Sequence, residues 1–219
     1  MFNIGFQTSK TLPNPILDGN TLFWYDSTDL STITKDGSNY ISRWKDKLLS
    51  GRDLIQSTGA NQPLWTATGV NFDGINDYLA VMFSDIQPKS FYIVLQSNAW
   101  NDNKGIIKSV NTVDVLYFLT GNNVVMYTSG VLNITRPNDN NFFILRCILN
   151  GASSRGTINA DTQTGNLAAH TSTGWYIGCQ SPSSSFANMK VKEIINRTGA
   201  DSTGSENYIY NYLKTKYSL

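Results

Sequence analysis

The chain has 219 residues, enough to bury a full core in one domain. Lys and Arg number 17 against 16 Asp and Glu, a net charge of +1, so the strong basic field of a nucleic-acid binder is missing. Glu193 and Glu206 are the only glutamates and His170 the only histidine, which removes much of the usual acid–base and metal-binding repertoire.

Residues 1–17 are polar and carry Pro13 and Pro15, which disfavour helix. They read either as a terminus laid on the surface or as an arm that docks on a partner. Phe2, Ile4 and Phe6 alternate as a strand added to another sheet would. The body is expected to span residues 18–219. Its first strand is TLFWY, residues 21–25, followed by a turn-rich stretch over 26–39. Trp44 and Asp46 come next, Trp44 reading as a core-capping ring. Then follow Asp53, Leu54 and Gln56, and a Pro63 ahead of VNFDGINDYLAV. In that stretch residues 70–72 and 78–83 flank Asp73-Gly74-Ile75-Asn76-Asp77 and read as a β-hairpin, because Asp-Gly supplies tight-turn chemistry.

Residues 91–95, FYIVL, are apolar on both faces and predict a central strand. Further strands are expected at 105–108, 115–119 and 124–127, the last after a Gly121-Asn-Asn turn. The run 141–149 is expected to be the longest strand, with others at 156–161, 174–179 and 186–195. Cys147 and Cys179 both lie in apolar, strand-like runs and read as buried free thiols, with a bridge as the alternative. About a dozen short strands between turn residues predict an all-β sandwich or barrel. One helix closes the chain at 203–217. Thr203 and Glu206 fit a capping box, and Ile209, Tyr212, Leu213 and Tyr217 share one face. Lys214 and Lys216 fall in the last turn, where positive charge suits the helix dipole.

The segment Phe72-Asp73-Gly74-x-x-Asp77-Tyr78 resembles the hairpin signature of laminin-G-like domains in the concanavalin-A-like lectin/glucanase superfamily. The same order of motifs runs from Trp44-x-Asp46 to the ending Ile209-x-x-Tyr212-Leu213-x-x-Lys216-Tyr217. One departure is Ala160, where that family's Ile-Asn-Gly turn has glycine. The resemblance implies a jelly-roll β-sandwich with one short C-terminal helix, covering about residues 20–219. The ending is similar to that of such domains in microbial and phage proteins.

Glucanases of this fold carry acidic residues at alternating positions of one strand, a pattern the resemblance would lead one to seek and that this chain lacks. Neither glutamate has an acidic partner at i+2. Asp73 and Asp77 read as turn stabilisers, and His170 as a surface histidine in a small-residue loop. The chain is therefore expected not to be an enzyme, with a glycan-active hydrolase the least favoured reading. Asp102, Asn103, Asp114, Asp139 and Asn140 are the oxygen donors a calcium ion would use, but they form no spaced loop motif. They read as solvated turn residues, and no metal or cofactor is expected. For glycan binding the best candidate is Trp100, beside Asn101 and Asp102, with Tyr127 and Trp65 behind it.

The expectation is a non-enzymatic virion surface protein, a phage capsid decoration or fibre component, whose lectin-like sandwich binds glycans. The alternative is a soluble or cell-surface carbohydrate-binding module. No basic-then-apolar leader opens the sequence, which fits a protein released by assembly or lysis. The expected partners are other virion proteins, held through residues 1–17, and glycans. Exposed sheet edges and the arm favour a homo-oligomer. Neither nucleic acid nor membrane insertion is expected, the most apolar run, 142–149, being too short to span a bilayer. Sequons occur at Asn133 and Asn196.

Overall fold

The computed structural model describes residue 14 and residues 16–99, 103–119, 123–135 and 141–219. Two antiparallel sheets face each other. One has eight strands: Asp161–Gly165, Ser154–Ile158, Phe143–Leu149, Lys89–Ser97, Asn188–Thr198, Gly69–Asp73 and Leu64–Thr66 in spatial order, with Thr21–Asp26 also paired to Asn188–Thr198. The other has nine: Val131–Thr135, Asn123–Tyr127, Val115–Leu119, Lys104–Ser109, Trp175–Ile177, Leu79–Val81, Leu54–Ile55, Ile41–Trp44 and Ile33–Lys35. The result is an all-β, jelly-roll-like sandwich with one C-terminal helix, Thr203–Tyr217.

The run of apolar residues at 91–95 has a simple cause. Phe91, Ile93 and Leu95 enter the core between the sheets, while Tyr92 and Val94 enter a second cluster on the opposite face. That second cluster lies under the helix, which contributes Ile209 and Leu213 and packs Tyr212 and Tyr217 beside them. The strand needs no polar face because neither face meets water. Trp44 is fully buried in the inner core, as expected of so large a ring, beside Tyr25 at a ring separation of 5.8 Å. Cys147 and Cys179 are buried and free; burial pushes the Cys179 thiol up to about 12 and Cys147 higher still.

Three expectations need correction. Residues 70–72 and 78–83 do not pair as a hairpin. Gly69–Asp73 pairs with Asn188–Thr198 and Leu64–Thr66, whereas Leu79–Val81 pairs with Trp175–Ile177 and Leu54–Ile55 in the other sheet. The Asp73–Asp77 turn carries the chain over the edge of the sandwich. Asp73 Oδ1 accepts from the amides of Ile75, Asn76 and Asp77, and Asp77 Oδ2 accepts from the Asp73 amide at 3.0 Å. Gly74 has φ +80, and a Cβ there would lie 2.8 Å from that of Asn188, so the turn sits tight on the neighbouring strand. Phe72 and Leu79 then reach the core from opposite sides.

The longest strand is Asn188–Thr198, of 11 residues, rather than Phe143–Leu149, of 7. A register shift between Val191 and Glu193 re-phases it. Met189 and Val191 face inward before the shift and Ile194 after it, which turns Glu193 to the helix side. The helix cap is Ser202, whose hydroxyl accepts from the Ser205 amide at 3.2 Å, in place of Thr203. Glu206 is thereby one position too far along to close a capping box, and it is drawn instead to Arg155 (2.7 Å) and Arg146 (3.3 Å).

Candidate groove on the nine-stranded sheet

Among the described residues the C-terminal helix packs on the eight-stranded sheet and leaves the outer face of the nine-stranded sheet without a helix. On the nine-stranded sheet the register runs Ile55, Ala80, Tyr176, Lys108, Val115, Tyr127, Val131, each the Cα partner of the next. Their chain neighbours Leu54, Leu79, Val81, Trp175, Ile177, Ile107, Leu116, Met126 and Leu132 all enter the core. Alternation therefore turns the named row outward.

A groove of about 310 Å³ lies along this face, lined by Asn103, Lys108, Thr112, Val113, Val115, Tyr117, Tyr127 and Gln180. Tyr117 sits diagonally from Tyr127 across paired strands. Both rings are half-buried, and burial, with Tyr127 beside it, raises the Tyr117 phenol pKa. Among the described residues Lys108 is the only charged side chain lining the groove. Its ammonium donates to the carbonyls of Ser109, at 2.9 Å, and Thr112. Burial draws its pKa down, with the Asp114 charge opposing. Gln180 Nε2 donates to the Asn103 carbonyl at 2.8 Å and ties two walls together.

The loop beneath is braced. Ser109 donates its amide to the Asp114 carbonyl at 2.8 Å, and its hydroxyl accepts from that of Thr112 at 2.7 Å. Asp114, expected as a solvated turn residue, is buried and accepts from His170 Nδ1 at 2.7 Å. His170, read from the sequence as a surface histidine in a small-residue loop, is half-buried and is held to the body by this bond. No local pattern signals that pair, since its members lie 56 positions apart.

Of the glycan-site candidates, Tyr127 lines the groove. Trp100, Asn101 and Asp102 lie outside the described residues, as do Asp139 and Asn140 and most of the 1–17 arm. Asn103, which directly follows that Trp100 segment, does line the groove, with φ +55. Trp65 does not; its indole donates to the Ser27 carbonyl at 3.0 Å. The sequence reading missed Tyr117, Lys108 and Gln180. Of the fold-motif residues, Trp44, Phe72, Asp46 and Asp77 are buried. Asp46 accepts from the Trp24 amide at 2.8 Å and holds the turn that follows it.

A carboxylate pair also exists that no single strand encodes. Asp26 and Glu193 are Cα partners on adjacent strands. Lys216 reaches both, at 2.7 and 2.6 Å, the Trp24 indole donates to Glu193 at 2.7 Å, and the Tyr217 hydroxyl donates to Glu193. Burial raises the Glu193 carboxyl in spite of Lys216. For Asp26 the bonds from Lys216, Thr28 and Lys47 overcome burial and hold it at about 2.

No family model and no curated protein matches the chain. Solved structures do. Trypanosoma rangeli sialidase in complex with sialic acid is similar with a TM-score of 0.66 and 8% identity, over 92% of this chain and 34% of that one. The binding domain of botulinum neurotoxin serotype D gives 0.63 and 12%, over 88% and 52%. A structure described as a receptor binding domain gives 0.56 and 13%, over 89% and 51%. The chain thus spans from a third to about half of these three solved chains. At these identities the likeness is one of fold. It overturns one expectation, that of a protein set apart from enzymes: the fold is found within glycan-active enzymes. The acidic-strand pattern was too narrow a test, because carboxylates also meet across strands, as Asp26 and Glu193 do.

Proposed function

We propose that this domain binds a glycan in the groove of Tyr117, Tyr127, Lys108 and Gln180. The observation that carries the reading is the groove itself: two half-buried aromatic rings beside amide, hydroxyl and ammonium donors. Sugar rings present apolar C–H faces and polar edges, and such a site meets both. Similar folds in a sialidase complexed with sialic acid, in a receptor binding domain and in a neurotoxin binding domain support the same direction. A glycan array probed with purified protein, with and without Ca²⁺, tests it. Binding is expected, and Tyr127→Ala and Tyr117→Ala each lower it about tenfold, the cost of one lost stacking contact. A wild-type protein silent on the array sinks the reading.

The setting is proposed on the sequence resemblance alone: a phage-type virion surface, with residues 1–17 reaching a neighbouring virion protein. Deleting residues 1–13 tests this, because it spares Ile16, which is fully buried in the cluster under the helix. Particle attachment should be lost while the fold stays; attachment unchanged removes the docking role.

A further inference from the structure

A second groove, of about 450 Å³, lies on the same outer face. Ile55, Tyr78, Ala80, Met82, Tyr176 and Pro182 are among the residues lining it. The ring of Tyr78 meets that of Tyr176 edge to face, with centroids 6.0 Å apart and planes at 83°. Tyr176 is half-buried, and burial, with Cys179 and Tyr78 nearby, raises its phenol pKa. The polar groups deeper in this groove are already engaged. Gln56 donates to the Tyr78 carbonyl at 3.2 Å and accepts from the Thr58 amide at 2.9 Å. Asp53 accepts from Arg43 at 2.7 Å and from the Asp46 amide at 2.8 Å. What the groove offers a ligand is an aromatic pair, an apolar floor at Ala80 and the exposed Ser57 hydroxyl at its rim.

The two grooves are neighbours. Tyr176 lines this one and Lys108 the other, and the two residues are direct cross-strand partners. One segment also walls both: Gln180 faces the first groove and Pro182 the second. From the Ile55 strand to the Tyr127 strand there are five strand spacings of ~4.8 Å, or ~24 Å, set across the strands. That is the length of a short oligosaccharide and exceeds that of a single sugar.

We infer that the two grooves form one continuous binding surface for a linear oligosaccharide, lying across the strands with one end on Tyr117 and Tyr127 and the other on Tyr78 and Tyr176. This rests on the glycan-binding reading above and adds the ligand's shape and the second contact. A sugar chain fits both grooves because each repeats the same chemistry, a paired tyrosine platform with hydroxyl groups at its rim. A single small molecule would fill one groove and leave the other unused.

The test uses the intact protein on an array that carries linear glucan, chitin and acidic-sugar oligomers as length series from one to six units. For the series that binds, the signal should climb about tenfold between two and five units and then level off. Tyr176→Ala should erase that climb while leaving binding of the shortest members unchanged. Ala80→Phe, which fills the floor of the second groove, should do the same, and it guards against a Tyr176→Ala protein that fails to fold. Binding that ignores length, or a length gain that survives both substitutions, overturns the inference while the first groove stands. Silence across every series overturns both readings together.

Discussion

The two outer faces of this sandwich have opposite fates. On the eight-stranded sheet the outer face is closed by the helix, and charged groups are sealed beneath it: Glu193 and Arg197 are at most 1% exposed. Arg197 is held by Asp18 at 2.7 Å and Asp201 at 2.8 Å, and Glu206 by two arginines. On the nine-stranded sheet no helix packs outside among the described residues, and Tyr78, Tyr117, Tyr127 and Tyr176 line grooves within reach of a ligand. The first face engages its polar groups with one another, whereas on the second the tyrosine hydroxyls have no hydrogen-bond partner among the described residues. Stability and recognition are thereby assigned to different sheets, and substitutions on the two faces should differ in kind.

The largest effect is expected from Lys216→Met. It leaves Glu193 and Asp26 buried without their shared cation, and breaking a buried ion pair from one side costs about 3 kcal/mol. Urea unfolding measures the loss, and glycan binding by the protein still folded should be unchanged. A loss below 1 kcal/mol would falsify the view that this network fastens the helix.

A smaller effect with a defined pH window belongs to Asp77, at the turn that joins the two sheets. Burial, with the charge of Asp73 beside it, raises its carboxyl from 3.8 to about 7. A carboxyl raised in the folded state favours folding while protonated. Its contribution is complete below about pH 4 and is lost as pH rises to 7. Asp77→Asn keeps a side-chain oxygen for the Asp73 amide and removes the charge. The variant should match wild type near pH 4 and exceed it near pH 8 by an amount on the order of 2 kcal/mol. Parallel curves of stability against pH for the two proteins would show that Asp77 titrates normally.

The contrast between faces was only partly legible in the sequence. Periodicity exposed the central strand at 91–95 and the helix face of Ile209 and Leu213, because burial on a face repeats at fixed spacing. Turn chemistry at Asp73-Gly74 was read correctly as a turn and wrongly as a hairpin. The local conformation of a turn does not say which sheet each flank joins. Trp24 and Glu193 are bonded across 169 positions, and no spacing rule reaches that far. Tyr117, Tyr127 and Tyr176 were written in the outward phase of their strands, but so is every exposed strand residue. What makes them a site is the register that lines them up, and register between distant strands is a property of the folded sheet.

The smallest effect makes the sharpest comparison, since it removes the same oxygen from each face. Tyr217→Phe deletes a hydroxyl that donates to Glu193, and the buried carboxylate loses a partner. The expected loss is about 1–2 kcal/mol. Tyr127→Phe deletes a hydroxyl with no protein partner among the described residues, on the outer face of the nine-stranded sheet. Its unfolding free energy should stay within about 0.5 kcal/mol of wild type, as for surface substitutions in general. Binding should respond the other way, with Tyr127→Phe weakening the glycan about threefold where the hydroxyl meets a sugar and Tyr217→Phe leaving it unchanged. Equal stability losses in the two variants would mean that the Tyr127 hydroxyl is held by the protein itself, and the groove would then have one donor fewer to offer.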